Sequence, residues 1–158
     1  MYIDYEYYKT LYGDKALAEI DFNRLSWDAE REIDKATSGI DGIKKLRVAF
    51  PTNEYDAECV KRCVCDLIDF FGRLEKAQNT VLNDGGIVVS KSAGNESVTY
   101  ANVDTDITKS LKSAKSKEIV ICERILKYLR GVKDANGVNL LYLSGYPFKI
   151  EVESHDEV

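Results

Sequence analysis

Apolar residues recur at the spacing of an α-helix in four segments of this chain. The first segment is short and rich in tyrosine, with Tyr5, Tyr8 and Tyr12 on one helical face. Asp4 precedes them as a suitable N-cap, and a glycine follows them at position 13. These features predict a helix over residues 5–12.

The second and third helical segments carry the clearest apolar stripes. Asp21 is placed to cap the second segment, and Ser38 with Gly39 is placed to end it. The stripe of the second segment consists of Phe22, Leu25, Ala29, Ile33 and Ala36. The third segment spans residues 54–78, and its stripe is wide enough for a helix at the centre of a bundle. That stripe consists of Cys59, Val60, Cys63, Val64, Leu67, Ile68, Phe71 and Leu74. Between the two segments, residues 43–50 have room for one or two helical turns.

A fourth helix is predicted from Thr105 or Asp106 to Arg130, and Gly131 is suited to end it. The buried side is marked by Ile107, Leu111, Ala114, Ile121, Cys122, Ile125 and Leu129. Glu118 interrupts this stripe, which indicates a break or an exposed section near that residue.

Two stretches outside the helices are apolar or aromatic. Asn83 begins a turn, and the sequence of residues 86–101 predicts a β-hairpin or a pair of extended arms. A further turn at Asn136 precedes a C-terminal apolar arm, residues 140–148. A lone two-stranded hairpin is marginal in water. We therefore expect both stretches to contact other chains and to be mobile or differently packed in the free monomer.

The predicted fold class is mainly α: a bundle of about four helices with a β-hairpin or extended-loop insertion and a C-terminal apolar arm. Residues 1–150 are expected to form one domain, and residues 151–158 a disordered acidic tail. The predicted core consists of Phe22, Leu25, Ile33, Val60, Cys63, Val64, Leu67, Phe71, Ile121, Ile125 and Leu129.

The net charge of −5 is concentrated at one end of the chain. The tail holds Glu151, Glu153, Asp156 and Glu157 and no basic residue, which leaves a net charge of −1 on residues 1–150. A nearly neutral body argues against phosphate binding as the main activity. No signal peptide and no long apolar run is evident, so we expect a soluble protein made in the cytosol, with no membrane partner.

Candidate catalytic and metal-binding residues do not combine into a site. Cys63 and Cys65 lie about 200° apart around a helix, so the thiols near Cys59 cannot converge on one metal ion. The one histidine, His155, lies in the tail, where nothing fixes a general base. Phosphate-loop motifs are absent. We expect reduced, unmetallated cysteines, no cofactor and no enzymatic activity.

Two surface features leave alternatives open. Lys109, Lys112, Lys115 and Lys117 form a local basic cluster, which is either a solvated helix end or a contact with an acidic neighbour or DNA. Trp27 lies off the apolar stripe, as either a half-buried surface residue or an anchor in a subunit interface. A nucleic-acid-binding regulatory protein is therefore the alternative function, and it would need a basic face beyond the lysine cluster.

Several motifs, in order along residues 2 to 148, resemble those of the head-tail connector proteins of long-tailed phages and prophages of Gram-positive bacteria. This family is also called the adaptor or head-completion family. The motifs are Asp4-Tyr5-Glu6-Tyr7-Tyr8, Phe22-Asn23-Arg24-Leu25, Ile33-Asp34, Val60-Lys61-Arg62-Cys63-Val64-Cys65, Leu67-Ile68-Asp69, Ser92-Ala93-Gly94-Asn95-Glu96-Ser97, Tyr128-Leu129 and Gly137-Val138-Asn139-Leu140-Leu141-Tyr142.

The resemblance implies a structural virion protein at the head-tail interface, present in the host cytoplasm during assembly. It would form a homo-oligomeric ring of about twelve copies, with head-to-tail contacts between subunits. Its partners would be the portal protein above and a head-completion or tail protein below, with DNA only as passing cargo. The expected subunit or portal interface consists of Trp27, Val88, Val89, Val98, Tyr100, Leu140, Leu141, Tyr142, Leu143, Tyr146 and Phe148.

Overall fold

The chain is mostly helical, as the mainly α pattern predicted. The computed structural model describes residues 1–84, 92–93, 96–97 and 105–144. A single 3-10 turn, Gly13–Lys15, follows the first helix. The α-helices within the described residues are α1 (Tyr5–Tyr12), α2 (Glu19–Thr37), α3 (Lys45–Val48), α4 (Glu54–Asp84), α5 (Thr105–Lys112) and α6 (Ala114–Leu129).

The first helix has the predicted bounds and the predicted cap. The Asp4 carboxylate accepts a hydrogen bond from the backbone N–H of Tyr7 at 2.8 Å. The Tyr8 ring is buried and packs 5.2 Å from that of Phe22, so the tyrosine face of α1 lies against α2. Gly13 ends the helix with a φ of 53°, which a residue without a Cβ adopts readily.

The second helix begins earlier than the sequence indicated. Asp21 was expected to cap it, but the first turn already closes with a 2.9 Å hydrogen bond from the N–H of Phe22 to the carbonyl of Ala18. The helix therefore starts at Glu19, and no side chain caps it. Its predicted end is confirmed, because the Ser38 N–H donates to the Asp34 carbonyl at the last turn.

The third predicted helix is longer than expected. It continues as α4 to Asp84, where the sequence predicted a turn beginning at Asn83. Residues 78–80 are exposed and carry no apolar stripe, so hydrophobic periodicity cannot reveal this extension. The Thr80 hydroxyl donates to the Lys76 carbonyl at 3.0 Å, one helical turn earlier.

The fourth predicted helix is two helices. The break falls at Ser113, whose side chain accepts from the N–H of Ser116 and so caps α6. Near Glu118 a break or an exposed section was expected, and Glu118 lies exposed within an unbroken α6. Ala114 and Cys122 were assigned to the buried side, but Ala114, at the start of α6, and Cys122 are both exposed. Cys122 lies 100° beyond the buried Ile121 around the helix, on the outer face.

The core surrounds α4, which packs against α2, α5 and α6. All of the residues predicted to form the core are buried, which confirms that prediction. Tyr8, Leu46, Phe70, Val120 and Leu140 are buried with them.

Two-residue strands pair antiparallel within the predicted hairpin. They are β1 (Ser92–Ala93) and β2 (Glu96–Ser97), with Ser92 opposite Ser97. The remainder of residues 86–101 lies outside the described residues. That part includes four expected interface residues: Val88, Val89, Val98 and Tyr100.

Candidate interaction surfaces

The charged groups on the central helices are joined in ion pairs. The Arg124 guanidinium lies 2.8 Å from a carboxylate oxygen of Asp66 and 2.8 Å from one of Asp106. It also stacks 4.6 Å above the ring of Phe70. Asp69 binds Arg73 of the same helix at 2.8 Å. Through Arg124, the Asp66 and Asp106 carboxylates join α4, α5 and α6.

A second polar network holds the N-terminus against α2 and α3. Arg47 contacts the buried carboxylates of Asp34 and Glu30, each at 2.9 Å. Its guanidinium lies 4.4 Å from the centre of the Tyr2 ring, and the Tyr2 hydroxyl donates to Asp34. Burial and this hydrogen bond raise the pKa of Tyr2, so the hydroxyl keeps its proton. Asp34, part of one family-like motif, is therefore a structural residue.

Residues 139–144 are fastened to the connection between α2 and α3 by a buried lysine. The Lys45 ammonium donates to the backbone carbonyls of Asn139, Leu140 and Tyr142. Close by, the N–H of Ile40 donates to the carbonyl of Leu143 at 2.8 Å. Because an ammonium has three protons, the three carbonyls use its whole donor capacity. We call this arrangement the Lys45 clasp.

The Lys45 clasp is expected to stabilise the folded chain. Burial lowers the pKa of Lys45, and the nearby Asp134 and Asp41 carboxylates oppose that shift. Lys45→Met should lower the free energy of unfolding by about 1–3 kcal/mol, because it removes the Lys45 donor from three carbonyls, of which that of Asn139 still accepts from the N–H of Tyr142. Urea denaturation followed by circular dichroism measures this. The matched control is Lys44→Met at the exposed neighbouring position, and an equal loss in both variants would contradict a specific role for the clasp.

The C-terminal arm is not uniformly available to other chains. Leu140 is fully buried and Leu141 half-buried, because the N–H of Leu140 pairs with the carbonyl of Val132 at 3.0 Å. The expectation that the arm starts unpacked at residue 140 is therefore wrong for these two residues. Tyr142 and Leu143 are exposed, whereas Tyr146 and Phe148 lie outside the described residues.

The outer side of α2 exposes two large apolar residues. Trp27 is 64% exposed, so it is neither in the core nor covered by the chain, and Ile20 is 79% exposed. The two are seven residues apart and therefore share a face. Arg24 lies between them and is held by Glu75 of α4 at 2.6 Å. We call this surface the α2 outer face.

A second exposed apolar surface lies on α6 and was missed in the sequence. It consists of Ile119, Cys122 and Leu126, which follow one another at spacings of three and four. The core-facing residues of the same helix lie on its other side, so α6 is apolar on two faces. A sequence stripe cannot distinguish two such faces, and Cys122 was assigned to the wrong one. We call this surface the α6 outer face.

The basic cluster is smaller than the sequence indicated. Lys109, Lys112 and Lys115 are exposed, but Lys117 is half-buried with its ammonium 5.4 Å from the ring centre of Phe71. Lys117 borders a groove of about 420 Å³ between α2, α4 and α6. Four carboxylates and only two cations line this groove: Asp28, Glu32, Glu75, Glu118, Arg31 and Lys117. It is a poor site for a nucleic-acid phosphate.

The four cysteines differ in exposure, from buried to exposed. Cys63 and Cys65 are buried, and burial raises the pKa of Cys65 to about 12, which disfavours the thiolate that binds metal. Within the described residues, no group of three His, Cys, Asp or Glu side chains is placed to hold a metal ion.

Comparisons with protein-family models, with curated proteins and with solved structures found no match. Among the described helices, none combines the length and the apolar character needed to cross a membrane.

Proposed function

We propose that this chain is a structural virion assembly protein, one subunit of a ring that docks under the portal and joins the DNA-filled head to the tail. The proposal starts from the ordered series of family-like motifs. The mostly helical fold agrees with it. The finer architecture, a bundle of about four helices with a hairpin insertion and a C-terminal arm, is part of the proposal.

One observation carries the proposal: the chain exposes two separate apolar surfaces, the α2 outer face and the α6 outer face. A closed ring with head-to-tail contacts requires each subunit to present two different, complementary surfaces. A C2 dimer needs only one. Trp27 is the strongest single anchor, because tryptophan is enriched among the residues that dominate interface energies.

The remaining exposed residues of the arm give a third surface. Tyr142 and Leu143 lie beside Ile40, which is 89% exposed. The Lys45 ammonium holds the carbonyl of Tyr142, and the N–H of Ile40 holds the carbonyl of Leu143. We assign this surface to the portal or to the downstream protein, since the two helical faces supply the contacts within the ring.

Replacing Trp27 with glutamate is expected to abolish ring formation without unfolding the chain. A charge at the centre of an apolar contact should weaken each subunit interface by about 2 kcal/mol or more, and every interface in a ring carries the same defect. Sedimentation velocity at high protein concentration measures assembly, and circular dichroism measures folding.

Lys35→Glu on the same helix is the matched control, since Lys35 is exposed and lies about 12 Å beyond Trp27 along the helix. It should assemble normally. Leu126→Glu should reproduce the defect from the other side of the contact. If Trp27→Glu and Leu126→Glu both assemble like the unmodified protein, the two faces are not the ring interface.

The alternative, a nucleic-acid-binding regulator, has less support. It depends on the lysine cluster, where only three side chains are exposed, and the groove beside Lys117 carries more acidic than basic groups.

A further inference from the structure

A second cleft has a chemistry different from that of the α2–α4–α6 groove. It lies where the start of α4 meets the end of α6, and its volume is about 310 Å³. It is lined by Tyr55, Glu58, Cys59, Arg62, Lys127, Tyr128, Arg130 and Val132. Cations predominate on its walls, and aromatic and apolar groups fill the space between them. We call it the basic cleft.

The cations of the basic cleft are only partly neutralised. Arg62 is paired with Glu58 at 2.8 Å. Lys127 is exposed, with its ammonium 5.1 Å from the ring centre of Tyr128, and Arg130 is exposed at the end of the same helix. Within the described part of the chain, neither Lys127 nor Arg130 forms an ion pair. The cleft therefore suits a ligand with two carboxylates and apolar groups between them.

The chain itself contains a segment of that chemistry. Its sequence from Ile150 to Glu153 alternates apolar and acidic residues, and Asp156 and Glu157 follow. In an extended chain, successive side chains point to opposite sides. Ile150 and Val152 would then face one way and the glutamates the other, which matches an apolar floor with a cationic rim.

The chain is also long enough for its acidic tail to reach the basic cleft. Val132 lines the cleft, and its carbonyl accepts from the N–H of Leu140 at 3.0 Å. Four residues further on, Ser144 lies at most roughly 20 Å from Val132, given about 3.6 Å per residue. The seven steps from Ser144 to Glu151 span up to roughly 25 Å. No rearrangement of the described residues is needed.

We infer that the acidic tail, residues 151–158, docks in the basic cleft of its own chain. Glu151 and Glu153 pair with Lys127 and Arg130, and Val152 between them covers Tyr128. This contact is independent of the ring proposal. It neutralises the cleft in the free subunit, and it gives the tail a defined position on the molecule.

Zero-length carbodiimide crosslinking of the full-length protein tests this, because the reagent joins a carboxylate and an amine only when they are in contact. Lys127 is the amine in the cleft. Lys115, about 18 Å away along the same helix at 1.5 Å per residue, is an internal reference. We expect tail crosslinks to Lys127 to exceed those to Lys115 by about fivefold, as two exposed ion pairs of ordinary strength would give.

Two variants sharpen the test without removing the reactive amine. Arg62→Gln with Arg130→Gln should bring the crosslinks of Lys127 down to the level of Lys115, whereas Lys112→Gln, outside the cleft, should leave them unchanged. Equal crosslinking of Lys127 and Lys115 would overturn the inference. Crosslinks found only between two molecules would also overturn it, since the occupant would then be a neighbour's tail.

Discussion

Deleting residues 138–158 is expected to lower the free energy of unfolding by more than about 5 kcal/mol, or to prevent folding altogether. The deletion removes the buried side chains of Val138 and Leu140, each worth roughly 1.5–3 kcal/mol. It also leaves the Lys45 ammonium buried without its three carbonyl partners, at a further penalty of several kcal/mol. Urea denaturation followed by circular dichroism measures the loss.

A shorter deletion, of residues 145–158, is the matched control. It keeps the Lys45 clasp and the buried Leu140, so we expect it to change the free energy of unfolding by less than about 1 kcal/mol. If both deletions unfold at the same urea concentration as the full chain, the arm is not part of the monomer's core. The sequence pattern alone indicates an arm outside the monomer's core.

Leu67→Ala is expected to destabilise the protein by about 2–5 kcal/mol, the usual range for emptying a leucine-sized volume in a packed core. Leu67 is fully buried on α4, the helix that contacts α2, α5 and α6, so the space cannot close by moving one helix alone. The control is Leu143→Ala at an exposed position, which should change stability by less than about 0.5 kcal/mol. A cost near zero for Leu67→Ala would reject this packing around α4.

Helices buried on one face could be predicted from the sequence, and helices without a simple stripe could not. The core residues on α2 and α4 were predicted correctly because each helix has a single apolar face at helical spacing, and that face packs into the core. The end of α4 was missed because Gln78, Asn79 and Thr80 are polar and exposed, so the apolar stripe stops before them. The two faces of α6 merged into one stripe, which hid the exposed Ile119 and Leu126 and misplaced Cys122.

The C-terminal arm shows why long-range pairing escapes a sequence pattern. Nothing near Leu140 in the sequence shows that Lys45, distant along the chain, binds its carbonyl. Lysine is usually exposed and rarely buried, so the sequence did not indicate that Lys45 lies in the core. The basic cleft was missed for the same reason, because it forms only when the start of α4 meets the end of α6.

The residues of the proposed ring interface could be predicted only in part from the sequence. Trp27 was singled out because a tryptophan off the apolar stripe is unusual on a surface, and the structure leaves it exposed. Its neighbour on the same face, Ile20, and the α6 outer face were not singled out. Exposure is a property of packing, and single apolar residues on a polar helix side are too common to interpret by themselves.

Negative-stain microscopy of the purified protein at high concentration shows directly whether the subunits close into a ring. We expect closed rings of one size, with about twelve subunits, and the loss of those rings in Trp27→Glu but not in Lys35→Glu. Particles that remain single subunits at every concentration, or that gather only when DNA is added, would contradict the proposed ring.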